Sequence, residues 1–250
     1  MDDLTLTAFQ GGKVNAWQPQ RGFRAGVDTV LLAASIPAES GQTVLELGCG
    51  VGVASLCLMS RVPGLSATGV ELQSEYAELA RRNAIEANAE FEVITANLTQ
   101  MPQDLRDRQF HHVFANPPYF RRAASVAASD AGRDTALGGE TPLEQWVEIA
   151  AKRTRPKGTV TFIQRAERLP ELIVAVQAHL GSIQLLPLTP RGGRDSQLVL
   201  LRARKNGRAD FRLHAGLLVH EGETHVRDRE SYTPEIRAVL RDGAALPFPA

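Results

Sequence analysis

The chain has 250 residues, of which 43% are apolar and 22% charged, and its 28 basic residues balance its 28 acidic ones. This length and apolar content are sufficient for one catalytic domain with a full hydrophobic core. The balanced charge excludes a global positive field, so any attraction to the phosphates of a nucleic acid must come from local clusters. Two cysteines, eight residues apart, are too few for a disulfide framework or a metal site.

The N-terminus, from Met1 to Leu6, lacks the basic and apolar pattern of a signal peptide, and no apolar run reaches membrane-spanning length. We therefore expect a cytoplasmic protein that has no membrane association and holds no metal ion.

From residue 43 onward, short apolar runs alternate with helical patterns. The apolar runs predict seven strands, and three helices separate the first five of them. This alternation predicts a mostly parallel sheet with helices on both faces. The predicted strands are Thr43–Leu47, Ala67–Val70, Phe91–Thr95, His112–Ala115, Thr159–Ile163, Ile183–Leu188 and Gln197–Leu201, and the predicted helices are Val53–Met59, Ser74–Ala87 and Pro142–Thr154.

Two further features concern the connections and the tail. The last two strands are separated by Thr189-Pro190-Arg191-Gly192-Gly193, which is too short for a crossover helix and predicts an antiparallel hairpin. Thr141-Pro142 and Thr233-Pro234 each predict a helix start with a capping threonine and proline at the first helical position. The polar tail after residue 205 contains a strand-like piece, Gly216–His220, and a short helix, Pro234–Arg241.

Residues 121–140 are rich in small side chains and show no convincing period. A loop of this length inside a compact domain is usually a functional lid or disordered. Because it follows the tetrapeptide described below, we expect it to close over a bound substrate.

The strongest local motif is the run from Val44 to Gly52, in which a strand enters a glycine turn that opens a helix. Glycines allow a tight turn and a close approach of the backbone to a ligand. However, Gly48, Gly50 and Gly52 follow a Gly-x-Gly-x-Gly spacing, which differs from the Gly-x-Gly-x-x-Gly of dinucleotide-binding proteins. This spacing makes a nicotinamide dehydrogenase the least favoured alternative.

Glu71 ends the next strand, one strand–helix unit after the glycine turn. A carboxylate at this place can accept hydrogen bonds from both hydroxyls of an adenosine ribose. The alternative is a solvated acid that caps the helix beginning at Ser74.

The third motif, Asn116-Pro117-Pro118-Tyr119, directly follows the strand that ends at Ala115. The Asn116 side-chain oxygen and a proline carbonyl offer two acceptors to a planar amino group, and Tyr119 offers a ring for stacking. Taken alone, the tetrapeptide is also compatible with a proline turn beside a buried tyrosine.

With all three motifs in this order on one sheet, the chain resembles class I methyltransferases that use S-adenosylmethionine and carry Asn-Pro-Pro-Tyr. More closely, residues 8–120 and the hairpin resemble bacterial adenine N6-methyltransferases that modify the anticodon loop of a valine tRNA. The resemblance implies a Rossmann-like, seven-stranded, mostly parallel sheet with one antiparallel hairpin at its C-terminal end. It divides the chain into a cofactor-covering segment (1–42), a methyltransferase domain (43–204) and an appendage (205–250).

The resemblance also implies a role for individual residues. Asp28, within the run Gln18–Ala34, belongs to the segment that covers the methionine end of the cofactor. The ribose falls to Glu71 with Leu72, and the adenine to Asn97 with Leu98, although aspartate is common where this chain has Asn97. The methionine side is held by Glu46, Gly48, Gly50 and Gly52.

On the target side, the implied catalytic residues are Asn116, Pro117 and Tyr119, and Asn116 also adjoins the cofactor. Phe120, Arg121 and Arg122 join Tyr119 in substrate binding, since phosphate contacts beside the pocket would position an RNA. The expected reaction is methyl transfer to N6 of an adenine in RNA, with tRNA as the expected partner.

Two alternatives from other classes stay open. One is methylation of a glutamine side-chain amide in a protein, but enzymes of that kind carry a helical domain where this chain has only about 42 residues. The other is a subunit that keeps the fold without catalysis, against which the intact Asn-Pro-Pro-Tyr argues.

Overall fold

A computed structural model describes residues 3–119, 141–222 and 231–249. Eleven strands lie in these ranges: β1 Leu4–Phe9, β2 Val14–Pro19, β3 Thr43–Leu47, β4 Ser66–Glu71, β5 Phe91–Thr95, β6 Phe110–Ala115, β7 Thr154–Arg165, β8 Gly181–Thr189, β9 Leu198–Arg204, β10 Arg212–Leu213 and β11 Leu217–Leu218. The seven α-helices of the same ranges are α1 Val27–Ser35, α2 Val53–Arg61, α3 Ser74–Glu86, α4 Gln103–Arg106, α5 Leu143–Arg153, α6 Leu169–Gln177 and α7 Pro234–Arg237. Within the described ranges, no helix is both long enough and apolar enough to cross a bilayer.

The central sheet is mixed and has the order β10-β8-β9-β7-β6-β3-β4-β5, with β11 paired to β8 as well. Strands β5, β4, β3, β6 and β7 are mutually parallel, whereas β9 runs antiparallel to both β7 and β8. The α/β fold class and the antiparallel hairpin predicted from the sequence are confirmed. The strand count is nine rather than seven, because β10 and β11 add to β8 in parallel.

The helical predictions need corrections. Helix α1 is absent from them because every residue from Thr29 to Ser35 is buried, so the segment has no polar face that would give a helical period. The nine-residue helix α6 was also missed. Thr233 accepts a hydrogen bond from the Ile236 backbone N–H as predicted, but Thr141 does not cap α5, whose N-cap is Pro142.

Side chains of the central strands alternate between two cores. Val44 of β3 faces one core with buried residues of α1, α2 and α3, while Leu45 and Leu47 face the other with α5 and α6. This double coverage explains why the central strands are continuous apolar runs. Because β4, β3 and β6 are parallel neighbours, their carboxyl ends meet at one edge of the sheet.

Parts of both terminal segments pack on the domain. Strands β1 and β2 form a separate antiparallel hairpin, and Asn83 of α3 accepts a bond from the backbone N–H of Trp17 at 2.8 Å. Near the C-terminus, the Leu246 N–H donates to the Ala34 carbonyl at 2.8 Å, and the Phe248 side chain is buried. The division of the chain at residues 42 and 204 stays a prediction.

The packing of the Phe91 ring against the glycine turn can be tested by substitution. Gly52 has φ +86°, and a Cβ on it would lie 2.7 Å from the Phe91 ring; Gly41 has φ +81° and open space around its Cβ position. Gly41→Ala should therefore lower the free energy of unfolding by about 1 kcal/mol through backbone strain alone. Gly52→Ala should lower it by roughly 1–3 kcal/mol more because Phe91 must move.

Urea unfolding of the two variants measures both values. Equal losses for Gly41→Ala and Gly52→Ala would contradict the packing argument and mean that the Phe91 ring yields without cost.

Candidate active site

A cavity of about 330 Å³ opens at the carboxyl ends of β3, β4 and β6. Ligands of open α/β sheets bind at this edge. Most of the predicted cofactor and target residues line this one cavity, namely Glu46, Gly48, Gly50, Glu71, Leu72, Asn97, Leu98, Asn116, Pro117 and Tyr119. Two predicted residues, Asp28 and Gly52, are not in its lining.

The three glycines of the turn all have positive φ angles, between +54° and +86°. Gly48 is also a point of close approach, since a Cβ there would lie 2.6 Å from Cη2 of Trp146, a residue of α5. Because Gly48 has no side chain, the indole ring of Trp146 can lie against the turn and form part of the cavity wall.

Glu71 is buried and joins the turn to the end of β4. Its Oε2 accepts a bond from the Gly50 N–H, and its Oε1 accepts one from the Gln73 N–H, both at 2.9 Å. Burial raises the pKa of the carboxyl, while these backbone bonds oppose the rise. A carboxylate offers about four lone-pair sites, so acceptor capacity is left for a ligand in the cavity.

Glu46 is the second buried acid of the cavity wall. Its Oε2 accepts bonds from the Ser55 hydroxyl at 2.6 Å and the Ser55 N–H at 3.1 Å. Burial nevertheless dominates and raises the pKa of Glu46 to about 8, with the nearby Glu71 carboxylate adding to the rise. Two buried acids supply the cavity wall with hydrogen-bond acceptors, an arrangement that suits a cationic ligand.

Leu72, Asn97 and Leu98 also line the cavity. Leu72 is 51% exposed, whereas Leu98 is buried. The Asn97 side-chain oxygen accepts bonds from the N–H and the hydroxyl of Thr99, at 2.9 and 2.8 Å. That oxygen therefore caps the turn after β5 and is largely committed, which weakens the acceptor role that the family resemblance implies for this position.

The tetrapeptide after β6 meets Asp28 of α1. A single oxygen, Asp28 Oδ2, accepts from Asn116 Nδ2 at 3.0 Å and from the Tyr119 hydroxyl at 2.5 Å. Burial, followed by the Asp28 carboxylate, raises the pKa of Tyr119 well above its usual value, so its hydroxyl stays protonated. The other amide atom, Asn116 Oδ1, is buried with no hydrogen-bond partner in the described part of the chain.

Two side chains, one from the end of β7 and one from the turn after it, hold the proline carbonyls. Gln164 Nε2 donates to the Pro117 carbonyl at 3.4 Å, and Arg168 Nη1 donates to the Pro118 carbonyl at 2.8 Å. Arg168 in turn pairs with Glu171 at 3.1 Å. The Pro117 carbonyl keeps a lone pair for a second donor, as its predicted role requires.

Sequence reasoning missed several groups at this site. Phe23 and Trp146 line the cavity, and Tyr76 joins them from α3, with its hydroxyl accepting the Phe23 N–H at 2.9 Å. Arg168, which holds the Pro118 carbonyl, was missed as well. Only Phe23, inside the run Gln18–Ala34, lay near a recognised motif; Tyr76 and Trp146 belong to ordinary helical patterns, and Arg168 lies in a short turn before α6. The predicted substrate residues Phe120, Arg121 and Arg122, and the 121–140 lid, lie outside the described residues.

Comparison with known proteins agrees with this geometry. Residues 24–133 match the family model of the methyltransferase small domain. A tRNA1(Val) (adenine(37)-N6)-methyltransferase of Yersinia enterocolitica is 28% identical over 88% of this chain and 85% of its own length. The Porphyromonas gingivalis enzyme of the same name is 31% identical, over 66% of this chain and 70% of that protein.

Among solved structures, an Agrobacterium tumefaciens protein described as a predicted O-methyltransferase superposes with a TM-score of 0.72. It is 27% identical, and the match covers 89% of this chain and all of that one. Together with the Asn-Pro-Pro-Tyr motif and the strand-end cavity, these similarities show that the chain belongs to the class I methyltransferase family that includes the tRNA1(Val) (adenine(37)-N6)-methyltransferases.

Proposed function

We propose that this protein transfers a methyl group from S-adenosylmethionine to the exocyclic N6 of an adenine in tRNA, at the position that the names of its relatives give, adenine 37 of tRNA1(Val). The observation that carries the proposal is the buried Asn116 Oδ1, which has no donor among the described residues. A buried acceptor of this kind is costly unless a ligand supplies the donor. An amino group is such a donor, and a tRNA substrate implies work in the cytoplasm.

The cavity fits the cofactor. Glu71 would accept the ribose hydroxyls, and the glycine turn would let the backbone approach the methionine part, as the strand-end rule for this sheet type implies. The acids Glu46 and Glu71 would face a positively charged sulfonium, and Leu72 with Leu98 would pack on the adenine. When bound, S-adenosylmethionine would supply an electrophilic methyl group. The amino nitrogen would bond to that methyl as the carbon–sulfur bond breaks, S-adenosylhomocysteine would leave, and the proton lost by the amine would pass to solvent.

The contribution of the chain is position and polarity. The nitrogen of adenine N6 is a poor nucleophile because its lone pair is delocalised into the ring. Acceptors at Asn116 Oδ1 and the Pro117 carbonyl would hold the two N–H bonds and favour a lone pair directed at the methyl group. Tyr119 would hold the unstacked base by its ring, as base-modifying enzymes require.

Other groups that could receive the methyl fit less well. A hydroxyl, as the name of the Agrobacterium structure suggests, has one hydrogen, so either Asn116 Oδ1 or the Pro117 carbonyl would be left without a hydrogen-bond donor. A glutamine amide has the right hydrogens, but it lacks the large ring that would stack on Tyr119. A non-catalytic subunit would have no need of an unpaired buried acceptor.

The experiment that tests the proposal is methyl transfer from labelled S-adenosylmethionine to total bacterial RNA, DNA and protein, followed by nucleoside analysis. We expect the label in N6-methyladenosine of tRNA. A tRNA1(Val) transcript should accept the methyl, and the same transcript with guanine at position 37 should not. Label recovered in protein, or in another nucleoside, would refute the proposal.

The ribose contact can be tested at Glu71. Glu71→Ala should weaken S-adenosylmethionine binding by roughly 1–3 kcal/mol, the value of charge-assisted bonds to hydroxyls in a partly buried site. Glu71→Gln keeps the volume and one acceptor oxygen, and should lose less. Calorimetric titration of the folded variants decides; unchanged affinity in both would mean that Glu71 only ties the glycine turn to β4.

A second prediction concerns the amino group. Asn116→Ala should leave the affinity for S-adenosylmethionine nearly intact while turnover falls by roughly two to four powers of ten, because the interaction is made in the transition state. Calorimetry and single-turnover methyl transfer measure the two quantities separately. Turnover within about threefold of wild type would show that the nitrogen is not held at this residue.

A third prediction separates the two parts of Tyr119. Tyr119→Ala should raise the apparent KM for tRNA, since stacking of one base on an aromatic ring contributes roughly 1–3 kcal/mol. Tyr119→Phe keeps the ring and loses only the bond to Asp28, so its effect on KM should be small. If Tyr119→Phe raised KM as much as Tyr119→Ala, the hydroxyl rather than the ring would be the group that binds the substrate.

A further inference from the structure

We propose that Asp28 is a positioning residue that sets which way round the Asn116 side-chain amide lies, and thereby presents oxygen instead of nitrogen to the target amino group. This inference rests on the proposed function. It assigns Asp28 a role different from the cofactor-covering role implied by the family resemblance, and it follows from the contacts of Asp28 with Asn116 and Tyr119, since Asp28 is not among the residues that line the cavity.

The two ends of an amide side chain have nearly the same shape but opposite hydrogen-bonding character. If Asn116 presented its NH₂ to an adenine amino group, two donors would face each other and the substrate would be repelled. Asn116 Nδ2 donates to Asp28 Oδ2 at 3.0 Å, and Oδ1 has no hydrogen-bond partner among the described residues. Because a carboxylate only accepts, Asp28 favours this orientation and opposes the inverted one.

The same oxygen also fixes Tyr119, whose hydroxyl donates to Asp28 Oδ2 at 2.5 Å. The amide that would hold the amino group and the ring that would hold the base therefore share one anchor. The anchor itself is firmly placed, because Asp28 lies in the first turn of α1 and the residues from Thr29 to Ser35 are buried. This contact joins the tetrapeptide to α1, although Asp28 and Asn116 lie 88 residues apart in the sequence.

Asp28 has a second possible role, since an acid in the first turn of a helix stabilises that helix through its dipole. Glu75 provides a matched control for it. It occupies the first turn of α3, is exposed and does not line the cavity. If the loss of a charge at a helix N-terminus were the whole effect, Glu75→Ala and Asp28→Ala should change turnover equally. If the orientation of the Asn116 amide is lost, only Asp28→Ala should lower turnover.

The test compares four proteins by single-turnover methyl transfer to tRNA and by calorimetric cofactor binding: wild type, Asp28→Ala, Asp28→Asn and Glu75→Ala. Asp28→Ala should lower turnover about 10- to 100-fold with cofactor affinity within about threefold of wild type. In Asp28→Asn, the new amide oxygen can still accept from Asn116 Nδ2, but the new NH₂ group can also donate to an inverted Asn116 amide. The turnover of this variant should therefore lie between those of wild type and Asp28→Ala. Glu75→Ala should match wild type.

A mutant cycle gives the sharper result. In a chain that already carries Asn116→Ala and Tyr119→Phe, both donors to Asp28 are gone, so adding Asp28→Ala should change turnover by less than about threefold. A further fall as large as in the wild-type background would overturn the inference, as would a loss of cofactor affinity that accounts for the whole effect of Asp28→Ala. If Asn116→Ala lowers turnover and Asp28→Ala does not, only this inference fails; if Asn116→Ala also leaves turnover unchanged, the proposed function fails with it.

Discussion

The parallel pairing of β4, β3 and β6 is the constraint on which the site depends. Parallel neighbours must end at the same edge of the sheet, so Glu71, the glycine turn and Asn116 are brought together although 45 residues of sequence separate Glu71 from Asn116. The bond from the Gly50 N–H to the Glu71 carboxylate then fixes the turn after one strand to the end of the next. Loops at this edge can vary without loss of the underlying geometry.

The sequence was sufficient for features that are encoded locally. Short apolar strands, the glycine turn and the tetrapeptide each have a period or a composition that identifies them, and all seven predicted strands are present. Buried α1 was missed because a helix with no polar face carries no helical period. The added strand β10 has two residues, too few for any periodic signal, whereas β11 lies within the strand-like piece Gly216–His220 that the sequence indicated.

Individual side-chain partners at the site were harder to predict. Asp28 meets Asn116, and Arg168 meets the Pro118 carbonyl, through tertiary packing alone. The departure from aspartate at Asn97 stays a prediction from the family resemblance, and its role as a cap of the following turn depends on the local backbone. The sequence gives the residue types at the site, whereas the partner of each side chain depends on the tertiary geometry. The roles of these residues toward ligands stay predictions.

The burial of Glu46 has a consequence for the fold as a whole. With a pKa of about 8 in the folded chain and about 4.5 in the unfolded one, Glu46 holds a proton in the folded state that the unfolded state releases between these values. The folded state therefore binds more protons throughout this window, and the linkage relation makes its stability decline as the pH rises through it. Near neutral pH, the buried Glu46 therefore lowers the stability of the fold, and a cationic ligand in the cavity would offset the free-energy cost of burying this acid.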